Sequence, residues 1–152
     1  MGFAMLAHVL AATVWVGGMF FALVCLRPAA AGLEPAPRLQ LWEATLRRFF
    51  PWVLMAVLVL LLTGLWMIFS VLGGVRAVGL HVHIMLGLGV LMMLLALHVY
   101  FAPFKRLRKL VADAHWTDAG KNLHQIRLSI TVNLVLGLCV TAVASGGRYF
   151  FH

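Results

Sequence analysis

The stretch that decides the fold runs from Leu80 to Phe104, LHVHIMLGLGVLMMLLALHVYFAPF, and it contains no Asp, Glu, Lys or Arg. About 20 residues suffice to carry a helix across the ~30 Å hydrocarbon core of a bilayer. Three other stretches are equally free of charge: Gly2–Leu26, Phe49–Val75 and Leu128–Gly147. In lipid every backbone polar group must be paired within its own segment, so runs this long are helices. The alternating polar and apolar pattern of a membrane β-barrel is absent. The sequence therefore predicts an all-α integral membrane protein. It is an up-down four-helix bundle forming one domain over residues 1–152, with spans at about 3–26, 49–72, 79–102 and 127–147.

Composition agrees. Apolar residues make up 64% of the chain, against roughly 45–50% in soluble domains. The few charges are clustered. Six lie between Arg27 and Arg48, eight between Lys105 and Arg127, and the other two are Arg76 and Arg148. A soluble fold needs charge on the outer face of every element, and disorder needs low hydrophobicity, so both classes are excluded. Ten of the twelve Lys and Arg residues fall in the first and third connections and two on the opposite side. That bias places the two basic connections in the cytoplasm and both termini outside, as in a multi-pass protein of a bacterial-type inner membrane. The basic residues flank spans, so their expected partner is the anionic lipid bilayer and not nucleic acid. The first span lacks a basic leader and is too long for a signal-peptide core, so it reads as a retained helix.

In the first connection, Leu39, Trp42 and Leu46 recur at helical spacing after Pro35 and Pro37, which predicts a short cytoplasmic interfacial helix over Leu33–Arg48. The third connection, after Pro103, should likewise extend as helix, with Thr117 as N-cap of the segment leading into the last span. Cys25 and Cys139 lie at different depths, roughly 18 Å apart along the bundle, too far for a disulfide. Both read as buried small apolar residues.

Ionisable groups inside membrane spans mark function, which singles out the histidines. His8 lies near the outer end of the first span, and His81 and His83 near the outer end of the third. Their depths agree within roughly 5 Å. Imidazoles at one level of a helical bundle suit metal or haem ligation; the alternative is hydrogen bonding to backbone or water. Neighbouring antiparallel helices stand about 8–10 Å apart, so the first and third spans are diagonal at roughly 13 Å. That separation suits two imidazoles gripping one haem from opposite faces, whereas a single copper ion prefers closer ligands. His81 and His83 point about 200° apart around their helix and cannot both face one centre. His83 shares its face with Gly87, Val90, Leu94 and, 60° off, His98. The small Gly87 would let a flat ring approach there. His81 shares its face with Met85, Leu88 and Met92, which could pack on a porphyrin or offer thioethers to copper.

On the inner side, His98 and His124 form a second possible site, for another haem, for propionates or for proton relay. An ordinary interfacial role competes for each. His115 and His152 carry no functional reading. Thr63, Ser129, Thr131, Asn133 and Thr141 are expected to glue helices together. Trp15, Trp52 and Trp66 have faces large enough to line a porphyrin, with packing or interfacial anchoring as the ordinary alternative. Glycine-rich nucleotide loops and CxxC pairs are absent.

His8, Trp15, Gly17 and Gly18 (H-x6-W-x-G-G), then Leu80-His81-Val82-His83 and His98-Val99-Tyr100, resemble the copper-resistance protein D family. They are also similar to the four-helix membrane protoporphyrinogen oxidase. The likeness covers nearly the whole chain through short motifs. It implies b-type haem for the oxidase, with His8 and His81 matching its first- and third-helix histidines. Where that oxidase is expected to carry a lysine, two residues after the third-helix histidine, this chain has His83, which counts against the same activity. The resulting expectation is haem b held by His8 and His81, with His83 as substitute or second partner and Arg76 and Arg148 pairing with propionates. The role would be redox or electron transfer, with a quinone or protein as redox partner. Two alternatives stand beside it: protoporphyrinogen oxidation, and copper binding or transport by His81 and His83 with Met5 and Met85. Small residues such as Ala142 and Gly146 allow a homodimer.

Overall fold

Four long helices account for nearly all of the chain in a computed structural model that describes residues 2–74 and 78–150, the last four by backbone only. They are α1 (Gly2–Ala30), α2 (Pro35–Ser70), α3 (Leu80–Ala112) and α4 (Trp116–Phe150). All four are long and apolar enough to cross a membrane, and the molecule is a multi-pass membrane protein built as an all-α four-helix bundle. The end carrying the two basic connections is called the basic end below, and the other the terminal end.

The segment around Leu33–Arg48 is helical, but it is not a separate element: α2 runs unbroken from Pro35 through Pro51 to Ser70. Pro35 stands in the first turn, where no N–H is needed. Beyond it Leu39, Trp42, Leu46, Phe50 and Val53 are all buried. This one continuous stripe holds the interfacial part and the span in a single rod and outweighs the bond lost at Pro51. The third connection also continues its span as helix. Thr117 lies inside the first turn of α4 and is not its N-cap, because the His115 carbonyl accepts the Ala119 N–H at 2.9 Å.

Both α1 and α3 widen into a π-helical turn toward the basic end, at Ala22–Leu26 and Tyr100–Phe104. Pro103 lies within the second of these, and its carbonyl accepts a hydrogen bond from Asn122 Nδ2 of α4 at 2.6 Å. The α3–α4 link closes on Ala114 in the left-handed region, φ 55°. The His115 N–H reaches the Leu110 carbonyl at 2.9 Å and the Ala114 N–H reaches that of Val111 at 3.2 Å, a Schellman cap with alanine where glycine is usual. The α2–α3 link turns on Gly73 and Gly74, φ 79° and 97°.

α1 packs along α2 and α3 along α4, while α4 also touches α1 and α2, and α2 meets α3 mainly toward the basic end, where Phe50 packs on Tyr100 and Phe104. Between helices in lipid, close approach of small residues replaces the hydrophobic drive. The Phe49 ring fills the space a side chain at Gly18 would need. At Gly137, a Cβ would lie 2.9 Å from Val16 Cγ2 and 3.1 Å from Met92 Cε, so α1, α3 and α4 converge there. Asn133 Nδ2 donates to the Met92 carbonyl at 3.3 Å and fixes the α3–α4 register.

The core is concentrated at the basic end. Leu107, Ala119 and Ile126 are wholly enclosed and Trp42 is 1% exposed. Toward the termini few described side chains are buried, Ala11, Leu60 and Ile68 among them. Cys25 and Cys139 are free, as expected, but exposed rather than buried. They lie on the outer surface of helices whose surroundings are apolar, where a thiol is at home.

Candidate functional site

The site begins with a polar contact between α1 and α2. His8 Nδ1 lies 2.8 Å from Thr63 Oγ1, and the ring edge comes within 3.5 Å of where a Gly64 Cβ would stand. The Thr63 hydroxyl has one proton, and it donates to the Val59 carbonyl at 2.6 Å. Thr63 Oγ1 is therefore the acceptor for His8, which assigns the proton of the neutral imidazole to Nδ1. Nε2 is left with its lone pair. This is the usual state of a ligating histidine, whose second nitrogen is held by a hydrogen-bond acceptor.

On α3 the two histidines separate cleanly. His83, Gly87, Val90, Leu94 and His98 are all exposed, and together they form the outward face of the helix. His81, Met85 and Leu88 are half-buried and Met92 is buried, so that face turns toward the bundle. The His81 ring folds back over Gly79, its Nδ1 and Cε1 each 3.0 Å from where a Cβ there would lie. His83 Nδ1 donates to the Gly79 carbonyl at 3.2 Å, away from the helix seams. Gly87 has nothing within 4 Å of a Cβ, so the close approach expected at that glycine faces outward.

Heights follow from the convergence at Gly137. Counting from Val16 and Met92, His8 stands about 12 Å toward the terminal end, His83 about 13.5 Å and His81 about 16.5 Å. The first and third spans share no broad interface, as expected of a diagonal pair. Trp15 is buried at 3% exposure, two turns below His8, within the helix core. Met85 is half-buried and Met5 exposed. Arg76 lies outside the described residues, as do the side chain of Arg148 and all of His152. His98 and His124 are both exposed, His98 because it continues the outward face of His83.

Sequence reasoning placed Thr63 among the residues that glue helices and missed its pairing with His8; a polar residue at matching depth on the adjacent antiparallel span was the available signal. Of the other residues in that group, Asn133 does bond across helices. Ser129, Thr131 and Thr141 bond carbonyls four residues back on their own helix.

The arrangement defines a class: a four-helix membrane protein with histidines on its first and third spans near the terminal end. Residues 43–146, more than half of the chain, match the family described as Copper resistance protein D, and the protein belongs to that family. The matched region contains His81, His83, His98 and His124 and starts beyond His8 and Trp15. Comparison with curated proteins and with solved structures gives no match.

Proposed function

We propose that this copper-resistance protein D family member is a b-type haem protein with a redox role, and that His8 and His81 hold the haem at the terminal end of the bundle. The observation that carries the reading is the His8–Thr63 hydrogen bond, which leaves the Nε2 lone pair of His8 available for coordination. The donor set fits a group that two histidines would hold. Among the described residues no three His, Cys, Asp or Glu side chains gather around one point, and the two histidines belong to helices that do not pack broadly on one another. Bound haem supplies one-electron transfer. The chain's part would be to fix the His8 tautomer through Thr63 and to present His81 from the half-buried face of α3. The Lys and Arg bias supports an orientation with the basic end in the cytoplasm and both termini outside, in a bacterial-type inner membrane. A quinone or a redox protein on the outer side is the partner this orientation would serve, and a homodimer is compatible with the exposed small residues of α4.

The test is an absorption spectrum of protein purified with its native cofactors, joined to a pyridine haemochrome assay. A Soret band that is lost in His8→Ala supports the reading; its absence in the parent protein refutes it. Family membership favours one second reading, in which copper is the cargo and His81 and His83 carry it with Met5 and Met85. Metal analysis finding copper without porphyrin selects that reading.

A further inference from the structure

The basic end holds a feature unrelated to the imidazoles. A cavity of about 550 Å³ opens between the ends of α1, α2 and α4, and Arg27, Arg38 and Arg127 all line it. Its other walls include Leu39, Trp42 and Leu123, which are among the most deeply buried side chains of the fold. No acidic residue lines it. The ion pairs among the described residues join Glu43 to Arg47 and Arg108, and Asp118 to Lys121. Glu34, one turn before Arg38, bridges none of the three arginines. Arg127 Nε is enclosed and has no hydrogen-bond partner.

Three like charges facing one space repel each other, and an enclosed guanidinium N–H without an acceptor is costly. Both conditions are relieved by one occupant with several anionic oxygens. Guanidinium groups match phosphate oxygens in geometry and charge, often through paired hydrogen bonds. The size is that of an ordinary ligand pocket, larger than a phosphate alone requires. Apolar walls beside a basic rim, at the level where membrane helices leave the bilayer, fit a phosphate carried on an apolar body. We propose that Arg27, Arg38 and Arg127 form a site for a phosphate group, and that this phosphate belongs to an anionic phospholipid.

The test uses the full chain, delipidated in a maltoside detergent and phosphate-free buffer, and measures binding of phosphatidylglycerol, diacylglycerol and inorganic phosphate by native mass spectrometry and competition. The expected result is saturable phosphatidylglycerol binding that weakens about tenfold or more in Arg127→Gln and in Arg38→Gln, as loss of a charged hydrogen bond implies. Arg106→Gln, an exposed cation away from the cavity, should leave it unchanged. Arg38→Gln alters a side chain only half-buried and keeps the test valid should Arg127→Gln fold poorly. Inorganic phosphate binding as tightly as the lipid, with the same arginine dependence, keeps the phosphate site but overturns its assignment to a phospholipid. Diacylglycerol binding equal to phosphatidylglycerol, or equal weakening by Arg106→Gln, overturns the proposal.

Discussion

Replacing Thr63 with Val removes the acceptor for His8 while keeping the shape of the side chain. In the parent protein the Thr63 hydroxyl makes two contacts, one to His8 Nδ1 at 2.8 Å and one to its own helix at Val59. Thr131 makes only the second kind, bonding the Arg127 carbonyl at 2.8 Å on an exposed face, so Thr131→Val measures the loss of an intrahelical bond by itself. The difference between the two variants isolates the bond across the helices. Bonds of this kind inside membrane bundles average about 0.6 kcal/mol and reach about 1.7 kcal/mol. The His8 bond is short and half-buried, so about 1 kcal/mol is expected between the variants. A second readout concerns the ligand. Losing the partner that orients a ligating histidine typically weakens metal affinity 10- to 100-fold, so if His8 holds the proposed haem, Thr63→Val should release it far more readily than Thr131→Val. The assays are reversible unfolding in mixed micelles and titration of the group removed by a chelator or apo-protein acceptor. A double-mutant cycle with His8→Ala closes the argument. Thr63→Val and His8→Ala effects that simply add, with Thr63→Val matching Thr131→Val in both assays, would show that the hydrogen bond orients nothing.

The two neighbouring glycines of α1 should respond oppositely. Gly17 has open space around a Cβ, so Gly17→Ala should be neutral or stabilising by up to about 1 kcal/mol. Gly18→Ala meets the Phe49 ring and should cost about 1–3 kcal/mol; equal melting temperatures for the pair would contradict this. Ala114→Gly relieves a left-handed residue in the α3–α4 cap and should raise unfolding stability by roughly 1 kcal/mol, with a lower melting temperature as the contrary result. Asn122→Leu leaves the Pro103 carbonyl without its α4 donor and should cost about 1–3 kcal/mol, whereas an unchanged denaturation midpoint would mean that the wide turn satisfies itself.

The spans were legible because lipid imposes a rule on whole segments: twenty uncharged apolar residues have one stable conformation there. Which residues meet between segments is a different matter. Trp42 and Leu46 showed their buried face through spacing alone, but the continuity of α2 through Pro51 depends on packing of that face beyond the proline. The opposed faces of His81 and His83 follow from helical geometry, whereas the identity of the inward face required the partner helices. His8 and Thr63 are 55 positions apart, and Arg27, Arg38 and Arg127 come from three helices. Contacts of that kind depend on crossing geometry and on the π-helical turns, which shift register without any distinctive composition. Gly18 was visible as part of a motif, but its purpose, admitting Phe49, belongs to the neighbouring helix.

The two ends of the bundle divide the work. At the basic end the helices interlock through Leu39, Trp42, Leu107 and Ile126, each no more than 2% exposed. In lipid, where the surroundings are as apolar as the core, this interlocking of shapes and the two asparagine bonds are what favour one arrangement of helices over others. At the terminal end the described helices bury few side chains, and His8 bonds Thr63 there. A bundle fastened at one end can hold its histidine-bearing helix ends at a set spacing without packing them against each other. That is the condition under which His8 and His81 can face a common group from separate helices. The fold therefore concentrates its tightest packing away from the proposed ligands.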